Sequence, residues 1–149
     1  MRFRDRRQAG RELAERLRAR GEAGGWPDPI VLALPRGGVA VGREVARALG
    51  APLDVLVVRK IGAPFHEEYG VGAMAGDEVP LFDQEALYRL GMSEADLQPV
   101  VERERAELRR REALYRRGRP APELAGRTVM VVDDGLATGS TARAALRSV

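Results

Sequence analysis

The sequence predicts an α/β fold with a mostly parallel sheet and flanking helices, and three observations predict it. Residues 30–34, 53–58 and 128–132 are short apolar runs rich in β-branched residues, as strands covered on both faces require. The first and third of these runs pass through a glycine-containing turn into a helical pattern. The order strand, tight turn, helix, strand is a βαβ unit, whose two strands are parallel with a right-handed crossover. The composition, 44% hydrophobic and 32% charged, is that of a soluble globular chain, and 149 residues suit one domain around a single hydrophobic core.

Residues 4–20 have Ala9, Leu13 and Leu17 on one face and charge elsewhere, which predicts an amphipathic helix ended by Gly21. A glycine- and proline-rich loop over 24–29 leads to the first strand, 30–34. Pro35-Arg36-Gly37-Gly38 is a turn, and residues 39–49 form a helix closed by Gly50. The second strand, 53–58, is followed by a polar, glycine-containing loop over 62–72. Residues 71–75 and 79–82 read as short strands on either side of a turn at Gly76-Asp77. Ser93 is an N-cap for a long charged helix over 94–117, with Leu97, Val101, Leu108 and Tyr115 as its apolar stripe. Residues 118–122 break that helix, 128–132 form the third strand, and a final helix starts near Thr141.

Several classes of function are excluded. The chain has no cysteine, so disulfide and thiolate chemistry are absent. The apolar runs are far too short to span a bilayer, and no apolar segment follows the basic N-terminus, so no membrane role is expected and the location is expected to be cytoplasmic. A formal charge of +3 does not argue for nucleic acid and suits an anionic small molecule at least as well. The arginines at 103, 105, 109, 110, 111, 116, 117 and 119 alternate with Glu102, Glu104, Glu107 and Glu112 at helical spacing, the pattern of a solvated, ion-paired helix. No His/Asp/Glu cluster has metal-ligand spacing, so a metal should arrive with a substrate.

In an open parallel sheet, ligands bind at the carboxyl ends of the strands, which selects the loops 35–38, 59–72 and 133–141. The segment Val129-Met130-Val131-Val132-Asp133-Asp134-Gly135-Leu136-Ala137-Thr138-Gly139-Ser140-Thr141 carries the strongest signal. An apolar strand delivers two adjacent carboxylates, and glycines and hydroxyl residues then lead into a helix N-terminus. Such a turn is an anion cradle for a phosphate monoester, and the upstream acids suit vicinal hydroxyls such as those of a ribose. It is neither a Walker loop, because no lysine follows its last glycine, nor a dinucleotide fingerprint.

This segment closely resembles the 13-residue signature of the type I phosphoribosyltransferases. The resemblance implies that Asp133 and Asp134 hold the ribose 2- and 3-hydroxyls and waters bound to Mg2+, the ion carried with 5-phosphoribosyl-1-diphosphate. It implies that Ala137, Thr138, Gly139, Ser140 and Thr141 bind the 5-phosphate. The loop Pro35-Arg36-Gly37-Gly38 stands where family members bind diphosphate, often with a strained peptide bond; Arg36 would add charge and Gly37 would permit close backbone approach. Arg59-Lys60 resembles the basic pair that some members place on the diphosphate, and Lys60 is the single lysine among 25 basic residues. Lysine is a compact point charge that a planar guanidinium does not replace.

Residues 62–72 resemble the lid that family members close over the reacting carbon, and His66 or Glu67 is a candidate proton acceptor. Members acting on 6-oxopurines usually carry an aspartate where this chain has Ala137, which argues against a hypoxanthine- or guanine-type acceptor. The resemblance runs through the whole chain and implies a type I phosphoribosyltransferase-like fold, with the chain ending before the family's last strands, as an incomplete domain would. The catalytic set is then Asp133, Asp134 and Lys60, and the expected activity is Mg-dependent transfer of a phosphoribosyl group to a nitrogen nucleophile, a nucleobase. A homodimer and a place in nucleotide metabolism accompany that expectation. The alternatives are a non-catalytic regulator that senses the donor or nucleotides and binds RNA or DNA, and an unrelated phosphate-binding α/β domain.

Overall fold

The computed structural model describes residues 2–21, 25–135 and 140–149. Along the chain lie α1 (Arg6–Gly21), β1 (Pro29–Ala33), α2 (Gly37–Leu49), β2 (Leu53–Val55), β3 (Val58–Ala63), β4 (His66–Ala75), β5 (Leu81–Phe82), α3 (Gln84–Leu90), α4 (Gln98–Arg116), β6 (Thr128–Val132) and α5 (Ser140–Arg147). They form two compact units, one of Met1–Leu56, Gly118–Leu136 and Val149, the other of Val57–Arg117 and Ala137–Ser148. Each has its own cluster of buried side chains, where length alone had suggested one core.

The first unit is the α/β part. Its sheet has the order β2-β1-β6, all parallel, with Ala33 beside both Val55 and Val132. β1 is the central strand, and residues 30–34 are buried throughout, which is why this run has no alternation of apolar and polar positions. Val31, Val41, Val45, Ala46 and Ala14 pack together, joining the sheet to α1 and α2. Complete burial of Val31 and Val45 contributes about 1.5–3 kcal/mol each. The helices meet closely at Gly10, where a Cβ would come within 2.8 Å of both Glu44 Cβ and the Val41 carbonyl oxygen. α2 ends at Gly50 in the left-handed conformation, as the sequence predicts.

The second unit is built on an antiparallel sheet of order β3-β4-β5. Ile61, Val71, Met74, Leu97, Val100, Val101 and Leu108 fill its core, so α4 lies on the face of β3 that carries Ile61. Three expectations are corrected here. The loop expected over 62–72 is largely strand: β3 and β4 form a hairpin turning at Pro64-Phe65. Its glycines mark close approach and bulging rather than irregular chain, since a Cβ on Gly72 would sit 2.5 Å from the Leu81 carbonyl oxygen and one on Gly62 would strike the Glu67 backbone. The single strand expected over 53–58 is two, β2 and β3, joined through the buried Leu56 and Val57 in different sheets. The long helix starts at Gln98 rather than 94, because residues 95–97 form a 3-10 turn. Ser93 caps that turn: its hydroxyl accepts from Asp96 N, while the Asp96 carboxylate accepts from Ser93 N at 2.8 Å. Helix α3 was not foreseen; Asp83 caps it by accepting from Ala86 N at 3.1 Å.

Candidate active site

β1 and β6 are hydrogen-bonded neighbours, so their carboxyl ends deliver the 34–38 and 133–135 segments side by side. Leu34 N donates to the Val132 carbonyl at 2.9 Å, extending the pairing to the edge of the sheet. Gly38 N then donates back to Leu34 O at 3.0 Å, which starts α2 directly after the turn. The peptide bond between Pro35 and Arg36 is cis, and Arg36 is exposed at the head of α2.

Two glycines make this junction possible. A Cβ on Gly38 would lie 2.7 Å from Val132 O and 3.2 Å from Asp133 Cα, and a Cβ on Gly37 would overlap the Asp134 carboxylate. Gly37 was expected to let a ligand approach the backbone; in the free chain it admits Asp134. The carboxylate thereby lies at the N-terminal end of α2, where the helix dipole favours negative charge.

The two acids have opposite electrostatics. Asp133 is half-buried, and burial, together with the neighbouring Asp134, pushes its carboxyl above the usual range. Its Oδ1 accepts from Asp134 N at 2.8 Å. Asp134 is held below its ordinary value, chiefly by the guanidinium of Arg6. Arg6 Nε and Nη2 both donate to Asp134 Oδ2, at 3.1 and 3.0 Å. The first turn of α1 fixes where Arg6 stands: the Asp5 carboxylate accepts from Gln8 N at 2.8 Å, and Gln8 Oε1 accepts from Arg4 N at 2.7 Å. Sequence reasoning missed Arg6, and no local signal marks it among its arginine neighbours, since its partner is 128 positions away.

The basic pair belongs to the second unit and does not act as a pair. Successive residues of a strand point to opposite faces, so Arg59 and Lys60 separate. Arg59 Nε donates to Glu104 Oε2 at 2.8 Å on the side of α4, with both side chains mostly buried. Lys60 is exposed and lies opposite Ala73 of β4. Neither lies in a loop at the end of a parallel strand, as 59–72 had been expected to. His66, Glu67, Glu68 and Tyr69 are exposed on β4 close to the hairpin turn. Ala137, Thr138 and Gly139 lie outside the described residues, and Ser140 and Thr141 begin α5. The basic run of α4 is ion-paired along the helix only in part: Arg110 and Arg111 share Glu107 and Arg116 holds Glu112, whereas Arg109 pairs with Asp77 and Arg105 donates to the carbonyls of Gly76 and Glu78. No group of three or more potential metal-ligating side chains occurs among the described residues. No helix among them is long and apolar enough to cross a membrane.

A parallel sheet flanked by helices, with a glycine turn and a carboxylate pair at the ends of adjacent strands, is an α/β domain whose polar residues gather at the strand ends. The phosphoribosyl transferase domain profile matches residues 4–149, and the chain belongs to that family. It is 46% identical over 144 residues to Rv0571c of Mycobacterium tuberculosis strain H37Rv, a protein whose name assigns it provisionally as a phosphoribosyl transferase. The counterpart in strain CDC 1551 / Oshkosh has the same identity over the same length. The match covers 96% of this chain and 31% of the relative, so the chain spans about a third of that protein's length. Among solved structures, TT1426 from Thermus thermophilus superposes with a TM-score of 0.77 at 46% identity, covering 98% of this chain and 67% of that one.

Proposed function

We propose that the chain binds 5-phosphoribosyl-1-diphosphate and transfers its 5-phosphoribosyl group to a nitrogen nucleophile, a nucleobase, with release of diphosphate. The observation that carries this reading is the junction of the Arg36-Gly37-Gly38 turn with Asp133 and Asp134 at the ends of two neighbouring parallel strands. In the reaction, the nitrogen bonds to the anomeric carbon of the ribose as the bond to the diphosphate oxygen breaks. Positive charge gathers on the sugar ring and negative charge on the leaving group. Catalysis then consists mainly of holding the sugar still and stabilising the departing charge.

Within that scheme Asp133 and Asp134 accept hydrogen bonds from the ribose 2- and 3-hydroxyls. The turn at Arg36 and Gly37, with the N-terminus of α2, receives the diphosphate. Lys60 supplies a compact positive charge, and residues 137–141 receive the 5-phosphate. Mg2+ entering with the donor would neutralise diphosphate charge; an adjacent acid pair fits such an ion through bound water, being too few ligands to hold it alone. The proton lost by the nucleophile passes to a base, for which the exposed His66 and Glu67 are the candidates.

The test is incubation with Mg2+, the donor and a panel of nucleobases, following diphosphate release. Release that depends on one base, and that disappears in Asp133→Asn with Asp134→Asn, supports the transferase. Saturable donor binding with no release for any base overturns the transfer and leaves a donor sensor, while unchanged donor affinity in the double variant removes the acids from the site.

A further inference from the structure

The proposed function assigns no role to the N-terminal helix, yet α1 reaches the site through Arg6. We infer that Arg6 is a positioning residue, which grips Asp134 by one carboxylate oxygen and fixes its orientation for the ribose hydroxyls of the donor. The inference rests on the donor-site reading given above and goes beyond it by adding a residue outside the signature.

Three features converge on this contact. First, both Arg6 bonds go to the same atom, Asp134 Oδ2, at 3.1 and 3.0 Å. Two charge-assisted bonds to one oxygen anchor that atom more firmly than a single bond does. Second, Gly37 leaves the space in which the pair meets. A Cβ there would overlap the Asp134 carboxylate and approach Arg6 Nε to 3.0 Å, so any side chain at position 37 would displace both partners. Third, α1 has little freedom to carry Arg6 elsewhere. Its first turn is capped by Asp5, and its body is pressed against α2 at Gly10.

The pair is not sealed inside the protein. The side chain of Arg6 is 61% exposed and that of Asp134 36%, beside an open groove of about 790 Å³ that Phe3, Arg4 and Asp134 help to line. An exposed ion pair contributes little to stability. Its place at the carboxylate proposed to hold a sugar therefore argues for a role in positioning rather than in folding.

The test compares Arg6→Ala, Arg6→Lys, Asp134→Asn and the double variant Arg6→Ala with Asp134→Asn. Donor affinity is measured calorimetrically with Mg2+ present, and thermal midpoints are followed in parallel. Arg6→Ala should weaken donor binding on the order of tenfold with a nearly unchanged midpoint, Arg6→Lys should recover part of the loss, and the double variant should bind no worse than Asp134→Asn alone. In turnover, the effect should fall on KM for the donor rather than on kcat. Wild-type affinity in Arg6→Ala overturns the proposal and leaves the donor site standing. So does strict additivity of the two substitutions, which would mean that Arg6 acts independently of Asp134. If the wild-type chain binds no donor at all, the donor-site reading fails first and this inference fails with it.

Discussion

Glu104 of α4 takes Arg59 out of the pair it forms with Lys60 in the sequence: the guanidinium donates to the carboxylate at 2.8 Å, and only the lysine is left exposed. Of the two adjacent basic residues, Arg59 thus joins β3 to α4 and Lys60 stays exposed on the strand.

Substituting Glu104 of α4 and Lys60 of β3 should therefore give opposite profiles. Glu104→Ala leaves Arg59 without its acceptor in a mostly buried position and should cost about 1–3 kcal/mol of stability in urea unfolding. Lys60→Ala should leave stability within about 0.5 kcal/mol, as surface substitutions do, while lowering donor affinity or turnover. Lys60→Arg should restore the charge but not the full activity, because a planar guanidinium is a different shape. Equal stability losses in Glu104→Ala and Lys60→Ala would contradict the division.

Gly37→Ala should be costly out of proportion to one methyl group. The new Cβ would overlap the Asp134 carboxylate, and relief requires moving that acid or the head of α2. Overpacking of this kind costs about 1–3 kcal/mol. The expected result is a lowered unfolding midpoint together with impaired donor binding; a variant with wild-type affinity would show that Asp134 moves without consequence.

At Gly10 two effects compete. Alanine favours a helix interior over glycine by about 1 kcal/mol. The same Cβ would come within 2.8 Å of the Val41 carbonyl, a backbone atom that cannot swing aside. The clash should win, so Gly10→Ala is expected to lower the midpoint, and a stabilised variant would mean that α1 can lift from α2 at no cost.

Glu107 gives a pH-dependent signature. Its hydrogen bonds with Arg110 and then Arg111 bring its pKa from an ordinary 4.5 down to about 2. A carboxyl with a depressed folded pKa stabilises fully above its unfolded value and loses that contribution as pH falls through the folded one. The difference in thermal midpoint between wild type and Glu107→Gln should thus be present at pH 6 and shrink between about pH 4.5 and pH 2. It should also shrink in high salt, since the site is on the surface. A difference constant over that range would remove the ion pairs as its cause.

What could be read from the sequence follows from where the information lies. β1 and β6 are buried on both faces or paired within a parallel sheet, so their apolar runs announce them, and the acids of Asp133-Asp134 follow such a run into a glycine turn. The β3-β4 hairpin was hidden by its own glycines: Gly62 and Gly72 resemble loop residues until the backbone of Glu67 and Leu81 is seen pressing on them. Helix α3 has only seven residues and a polar exterior, too short for periodicity to show. Arg6 was invisible for another reason. Its meaning depends on packing between α1 and α2, and nothing nearby in the chain separates it from Arg4 or Arg7.

The lone amine side chain on β3 has a practical corollary. A protease that cleaves only after lysine has a single internal target in this chain, the bond following Lys60. That bond is held in the β3-β4 ladder, with Lys60 opposite Ala73 and Ile61 opposite Gly72. Cutting requires the ladder to open, so the rate at which one chain becomes two fragments is a clock for local unfolding of the hairpin. Any ligand that closes down on this sheet would slow the clock, and its binding could be followed on a gel with no label and no engineered residue.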